Sequence, residues 1–298
     1  MNLGTKQFFK AAEKSGYAIG QFNVSTADQI RAIMRIAAEL KAPVIIGTSE
    51  GECTFIGARQ AVKLCEAYEE ETGVPVILNA DHTYKDAQKL ENLDKIKALL
   101  AAGYNSIHFD GSVLSFEENV KWTRQAVAMC KEKDPGISVE GELGFLPGAS
   151  QISKEKVEIK PEYLTDPKQA LAFVEATGID RLAVSVGNSH GISFQEDRLD
   201  IDRIAAIKEL IGDRAVLVLH GGSGIPDEQV RAAIAHGIRK ININTELRVA
   251  FHDALKATLT ESEETTPYKF IPSAMDAVAR IVEAKIQLFG SGGAGDRT

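Results

Sequence analysis

The stretch LVLHGGSGI (217–225) carries an apolar run onto His220 and then into Gly221, Gly222, Ser223 and Gly224. A strand needs no histidine to end, and three glycines around one serine exceed what a simple turn requires. Either an ordinary loop follows an ordinary strand, or the strand end presents a ligand beside a bare-backbone cradle. The other strand ends decide between the two.

Seven more runs of the same kind recur along the 298 residues. They read YAIGQFN (17–23), PVIIGTS (43–49), PVILNAD (75–81), SIHFDG (106–111), ISVEGELG (137–144), RLAVSVGNSH (181–190) and KININT (240–245), with AVLVLH (215–220) as the seventh in chain order. They are rich in Val, Ile and Leu with little alternation, as strands buried on both faces should be. Helical patterns separate them. Thr26 and Gln29 make a capping box before Ile30, Ile33, Met34, Ala37 and Leu40, and Ser115 with Glu118 repeats it. Strand then helix, eight times, predicts a single α/β domain, a (β/α)8 TIM barrel over residues 1–290, with a flexible tail at 291–298. A doubly wound open sheet is the alternative, but no G-x-G-x-x-G follows the first run.

Composition narrows the function. A net charge of −8 and a pI near 5.4 argue against a nucleic-acid partner. No apolar run approaches the roughly 20 residues that span a bilayer, so no membrane partner is expected. Cys53, Cys65 and Cys130 lack any Cys-x-x-Cys pairing, and the N-terminus lacks a signal-peptide core. Three reduced thiols in a cytoplasmic protein follow.

In such a barrel the active site lies at the carboxyl ends of the strands. Those ends carry Asn23, Ser49, Asp81 with His82, Asp110, Glu142, His190, His220 and Asn242. His108, His236 and His252 fall inside a strand or on helices and read as ordinary residues. His82, His190 and His220 converge if the barrel forms, and three imidazoles with an open position suit catalytic zinc. Adjacent strand positions point to opposite faces, so Asp81 and His82 should diverge, leaving Asp81 for proton transfer. Asp110 and Glu142 are partners of the histidines or ligands of a second metal position. The loop 221–223 and the Asn242–Thr245 stretch follow strands seven and eight, where barrels commonly bind phosphate, with Ser223 and Thr245 adding hydroxyls. A metal, a carboxylate and a phosphate cradle suit chemistry beside the carbonyl of a phosphorylated ketose. A Schiff base needs a lysine in the pocket; the sixth run has none, and Lys240 starts the eighth run at the opposite end of the barrel. The excursion LGFLPGASQISKEKVEIKPEYLTDP makes the gap from Glu142 to Gly187 about 45 residues, against about 24 to 33 elsewhere, and reads as a mobile loop or a solvated surface excursion.

These motifs carry a resemblance. YAIGQFNVST, PVIIGTSEGE, NADHTYKDA, SIHFDGSVLSFEENV, SVEGELG, VGNSHG, LHGGSGIP and KININTELRVAF resemble, in order and over residues 3–290, the motifs of class II, zinc-dependent fructose-bisphosphate aldolases and their tagatose-bisphosphate relatives. The resemblance implies cleavage of a ketose 1,6-bisphosphate into dihydroxyacetone phosphate and glyceraldehyde 3-phosphate. It implies Zn2+ on His82, His190 and His220, a second divalent position at Asp110 and Glu142, and Asp81 as the acid serving C4. It also implies a substrate subsite at Asn23, Ser49, Gly191, Gly221, Gly222, Ser223, Asn242, Ile243, Asn244 and Thr245, a monovalent cation (Na+ or K+) near the phosphate, and a homodimer or higher homo-oligomer.

The chain departs from the family pattern twice. GFLPGASQIS stands where relatives often carry Gly-Gly-x-Glu-Asp, leaving the C3 base open among Glu155, Glu158 and other groups. Ser273, Ala274, Met275 and Asp276 stand where many read Pro-Ala-Arg-Asp/Glu, which leaves the grip on the second phosphate open. A metal-barrel hydrolase fits less well, because such barrels open with His-x-His where this chain has QFNVS. A non-catalytic metal- or sugar-phosphate-binding barrel is the third alternative.

Overall fold

Thr26 shows how local chemistry starts a helix: its Oγ1 accepts from Gln29 N at 3.3 Å while Gln29 Oε1 accepts from Thr26 N at 3.2 Å. Ser115 likewise accepts from Glu118 N at 3.3 Å. The computed structural model describes residues 5–84, 90, 93–153, 157–192 and 198–297. Its elements are α1 (Thr5–Ser15), β1 (Ile19–Asn23), α2 (Ala27–Glu39), β2 (Val44–Ser49), α3 (Glu50–Ile56), α4 (Ala58–Thr72), β3 (Val76–Thr83), α5 (Asp94–Ala102), β4 (Ser106–Phe109), α6 (Phe116–Lys133) and β5 (Ser138–Leu143). Then follow β6 (Gly148–Ile152), α7 (Pro167–Thr177), β7 (Arg181–Val184), β8 (His190–Ile192), α8 (Ile201–Ile211), β9 (Val216–Leu219), α9 (Asp227–Ala235), β10 (Ile238–Ile243), α10 (Thr245–Glu261) and α11 (Pro267–Phe289).

Strands β1, β2, β3, β4, β5, β7, β9 and β10 close into one parallel barrel, with β10 pairing back onto β1. The (β/α)8 expectation holds. Every barrel strand is almost wholly buried, yet the two faces differ. Phe22, Leu78, Val139, Leu182, Ile241 and Ile243 point outward into the helix layer. The alternate positions turn inward and are polar. Arg181 donates to Glu140 Oε2 (2.9 Å) and Ser106 Oγ (2.7 Å), and its guanidinium also meets Ser138. Asn79 donates to Gln21 Oε1 (2.9 Å), and Gln21 donates to Asn23 Oδ1 (3.0 Å). The two-residue period of a strand therefore runs through these segments, against the expectation of little alternation.

Below this polar interior, Ile19, Ile45 and Ile77 meet Phe8, Phe9 and Ala12 of α1, which closes the floor of the barrel. Ala294 joins that plug, and the N–H groups of Gly293 and Gly295 donate to the carbonyls of Leu40 (2.8 Å) and Lys41 (2.7 Å). The tail expected to be flexible from residue 291 is docked at least to Gly295, because these backbone bonds and one small apolar side chain hold it. No helix among the described residues is long and apolar enough to cross a membrane.

Two outcomes follow from the packing. A Cβ on Gly47 would lie 2.5 Å from Asn23 Oδ1 and 2.6 Å from Gln21 Nε2, so Gly47→Ala should destabilise the protein by about 1–3 kcal/mol in urea unfolding. Burial pushes the Cys65 and Cys130 thiols up to about 12, whereas Cys53 is partly exposed. At pH 8 a thiol reagent should titrate one cysteine in the native protein and three after denaturation.

Candidate active site and metal centre

At the top of β3 the strand geometry breaks. His82 adopts φ +50 and Tyr84 φ +66, and the pairing of β3 with β4 shifts register between Ala80 and Thr83. The left-handed residue cancels the alternation that should have sent Asp81 and His82 apart, so both side chains line one cleft. The His82 N–H donates to His108 Nδ1 at 3.1 Å, which ties the strained turn to the interior. His108 is thus part of the site, not an ordinary strand histidine. His236, the residue that caps the C-terminal end of α9, and His252 on α10 are both exposed, away from the site.

Hydrogen bonding assigns the protons on the two central rings. His82 Nδ1 lies 2.8 Å from Asp110 Oδ2, and His220 Nε2 lies 2.7 Å from Glu140 Oε1. An ionised carboxylate only accepts, so each ring places its N–H there and keeps a lone pair on its other nitrogen. Those nitrogens, His82 Nε2 and His220 Nδ1, face each other at 2.9 Å. Two lone pairs at that distance repel unless a shared cation, a proton or a metal ion, meets both, and burial opposes charging His220. An imidazole pair backed by carboxylates is a donor set that suits a transition metal. The His190 ring stands 4.9 Å from His82 and 6.4 Å from His220, centroid to centroid. Ligand atoms of Asp81, His82, His108 and His220 all lie within 4.8 Å of one another, as do those of His82, Asp110 and Glu142. Glu142 Oε2 lies 3.3 Å from His108 Nε2 and 3.7 Å from His82 Nδ1.

Glu140 fixes this geometry. Burial would raise its carboxyl, but Lys240, His220 and Arg181 more than offset it and hold the group well below the usual carboxylate range. Lys240 Nζ reaches Oε2 at 2.7 Å and Oε1 at 3.0 Å. Lys240 is therefore not at the opposite end of the barrel. It is the third residue of β10, fully buried in the interior beneath Asn242.

Asp81 is held by two amides: Asn23 Nδ2 donates to Oδ2 at 3.0 Å and Asn242 Nδ2 to Oδ1 at 3.2 Å. Burial works against its charge, yet His82, His108 and His220 keep its carboxyl well below the usual range. The result is an ionised carboxylate beside the imidazoles, able to accept a proton.

The cleft is also lined by Ser49, Ser150, Gly191, Gly221, Ser223, Asn244 and Thr245. Gly221 has φ +62, and a Cβ there would lie 2.0 Å from the Ser189 carbonyl oxygen, so only glycine fits. Thr245 opens the 17-residue helix α10, whose N-terminus suits an anion. Two expected contacts are corrected. Ile243 is turned outward into the helix-packed core by the strand period. Gly222 does not line the cleft, and its N–H donates to the Asn242 carbonyl at 3.0 Å. His190 is also displaced from its expected place. β7 ends at Val184, and His190 opens β8, which pairs with β6 outside the barrel. The start of the long excursion is thus an ordered ribbon that carries His190 and Ser150, with the Ser150 carbonyl bonded to Arg248. Of the candidate bases, Glu158 is exposed and does not line the cleft, and Glu155 lies outside the described residues.

His108, Glu140, Lys240, Ser150 and Glu52 belong to the site or its support without having been singled out. One signal finds three of them: His108, Glu140 and Lys240 stand two positions before Asp110, Glu142 and Asn242, on the same face of their strands. Ser150 and Glu52 carry no such signal.

Carboxylate partners of metal-binding imidazoles typically change metal affinity about 10–100-fold. Glu140→Gln should weaken zinc binding by that factor in a competition titration, and His236→Ala should leave it unchanged.

The model of the family described as fructose-bisphosphate aldolase class-II matches residues 4–294. Among solved structures, the chain is similar to the YdjI aldolase from Escherichia coli K12, at 32% identity and TM-score 0.82 over 99% of this chain and 100% of that one. It is also similar to a putative fructose-1,6-biphosphate aldolase from Coccidioides immitis, at 28% identity and TM-score 0.82, covering 99% and 98%. Fructose-bisphosphate aldolase (Fba) from Campylobacter jejuni shares the fold at 23% identity and TM-score 0.80, covering 97% and 94%. A match over nearly the full length, on a barrel whose strand ends bring carboxylates and imidazoles together, means that the chain belongs to the class-II fructose-bisphosphate aldolase family.

Proposed function

We propose that the protein is a zinc-dependent aldolase that reversibly cleaves a ketose 1,6-bisphosphate, fructose 1,6-bisphosphate first among them, into dihydroxyacetone phosphate and glyceraldehyde 3-phosphate. The observation that carries this reading is the approach of His82 Nε2 and His220 Nδ1 to 2.9 Å, beside the Asp81 carboxylate that Asn23 and Asn242 hold. His82, His190 and His220 are the residues that would hold the metal. Zinc, when bound, supplies Lewis-acid polarisation of a carbonyl.

The chain's own groups do the rest. Asp81, aimed by Asn23 and Asn242, takes the proton of the C4 hydroxyl as the C3–C4 bond breaks. The electron pair of that bond stays on C3 of the dihydroxyacetone phosphate half as an enediolate, which takes up a proton at C3 to give the product, and condensation runs the same steps in reverse. Gly221, Ser223, Thr245 and the N-terminus of α10 receive the phosphate of the dihydroxyacetone half. Cys53, Cys65 and Cys130 are free, which fits a reducing compartment, and we place the enzyme in the cytoplasm.

The test follows triose phosphate released from fructose and tagatose 1,6-bisphosphates, which differ at C4, with and without chelator. Chelator-sensitive cleavage is expected, and its absence with both sugars would overturn the reading. His220→Ala should lose both zinc and turnover. Asp81→Ala should retain zinc and lose at least about 100-fold in kcat.

A further inference from the structure

Glu52 lies on α3, beyond the barrel strands, yet its carboxylate joins three strand ends. Its Oε2 accepts from Asn23 Nδ2 at 3.0 Å and from Ser49 N at 2.7 Å, while Oε1 accepts from Asn244 Nδ2 at 3.1 Å. The nitrogen of Asn23 that meets Glu52 also meets Asp81. A carboxylate accepts and does not donate, so it dictates which way each amide faces. With its NH2 on Glu52, Asn244 keeps Oδ1 on its other side, buried and without a hydrogen-bond partner among the described residues. Asn242 shows the same pattern: Nδ2 serves Asp81 and Oδ1 is buried without a hydrogen-bond partner among the described residues. Both asparagines line the cleft. A buried amide oxygen without a partner is costly until a donor meets it, and a sugar hydroxyl is such a donor.

We propose that Glu52 is a positioning and specificity-determining residue, whose carboxylate locks Asn244 with its carbonyl oxygen toward the cleft so that the site takes a ligand through hydroxyl donors. The inference rests on the sugar-phosphate reading of the cleft. It assigns the hydroxyl-recognising edge to α3 and the start of α10, on the β1–β2–β10 side of the barrel.

The geometry specifies a rescue. In Glu52→Gln the carboxylate becomes an amide, with one oxygen and one NH2. The amide oxygen stays with the two donors, Asn23 and Ser49, so the amide NH2 meets Asn244 and forces that side chain over, presenting NH2 to the cleft. In the double variant Glu52→Gln/Asn244→Asp, the carboxylate introduced on α10's side accepts from that amide NH2 with one oxygen and offers the other to the cleft. The net charge is unchanged.

Wild type, Glu52→Gln, Asn244→Asp and the double variant are compared, zinc-loaded, by kcat and KM on the ketose bisphosphate that the wild type cleaves and by unfolding midpoint. Each single variant should lose roughly tenfold in kcat/KM, mainly through KM, with zinc content unchanged. The double variant should return to within about threefold of wild type and recover the unfolding midpoint of the better single variant or higher. A double variant no better than Glu52→Gln in kcat/KM would overturn the proposal, as would a Glu52→Gln enzyme equal to wild type. Midpoints that recover without kcat/KM would make Glu52 a purely structural tie, which also overturns it. A wild type that cleaves no ketose bisphosphate defeats the aldolase reading instead. The unfolding cycle then still decides whether Glu52 and Asn244 are paired as stated, and no recovery there overturns the proposal.

Discussion

A single buried carboxylate organises the interior of this barrel. Glu140 receives Arg181 from β7, Lys240 from β10 and the imidazole of His220. Removing one partner of such a buried group leaves uncompensated charge, typically a loss of about 3–5 kcal/mol. The consequence reaches the surface of the cleft. Because Glu140 takes the Nε2 proton of His220, Nδ1 must present a lone pair, and because Asp110 takes the Nδ1 proton of His82, that ring's Nε2 does the same. The metal centre is thus set up from below, through proton positions, before any ligand arrives.

The barrel supports this by dividing its interior into layers. An apolar floor of Ile19, Ile45 and Ile77 is plugged by α1. Above it, the layer of Arg181, Glu140, Lys240, Asn79 and Gln21 is hydrogen-bonded throughout. The top layer holds Asp81, Asn23, Asn242 and the imidazoles. The middle layer fixes a rotamer in the top one, where Gln21 donates to Asn23, and Asn23 in turn donates to Asp81 beside it. A polar chain of this kind is stable only when its members are satisfied, and two acceptors left open among the described residues, Asn242 Oδ1 and Asn244 Oδ1, belong to residues that line the cleft.

Much of this was legible in the residues. Eight apolar runs predict the barrel, and the polar residues at their ends predict Asp81, His82, His220, Asn23 and Asn242 at one cleft. What stayed hidden has physical reasons. His108, Glu140 and Lys240 sit one strand period below the ends, where V/I/L-rich runs conceal alternation. The meeting of Asp81 with His82 depends on a left-handed backbone at His82 that no residue type announces. The ribbon of β6 and β8 that delivers His190 arises from pairing between segments about 40 residues apart. Glu52 acts across space, from a helix onto three strands.

Opposed lone pairs on His82 and His220, imposed by Asp110 and Glu140, form the metal centre. Anomalous diffraction at the zinc edge from crystals grown with zinc is the direct test. A peak about 2.0–2.1 Å from His82 Nε2, His220 Nδ1 and a ring nitrogen of His190 is expected. A peak confined to Asp110 and Glu142, or none within reach of His220, would contradict it.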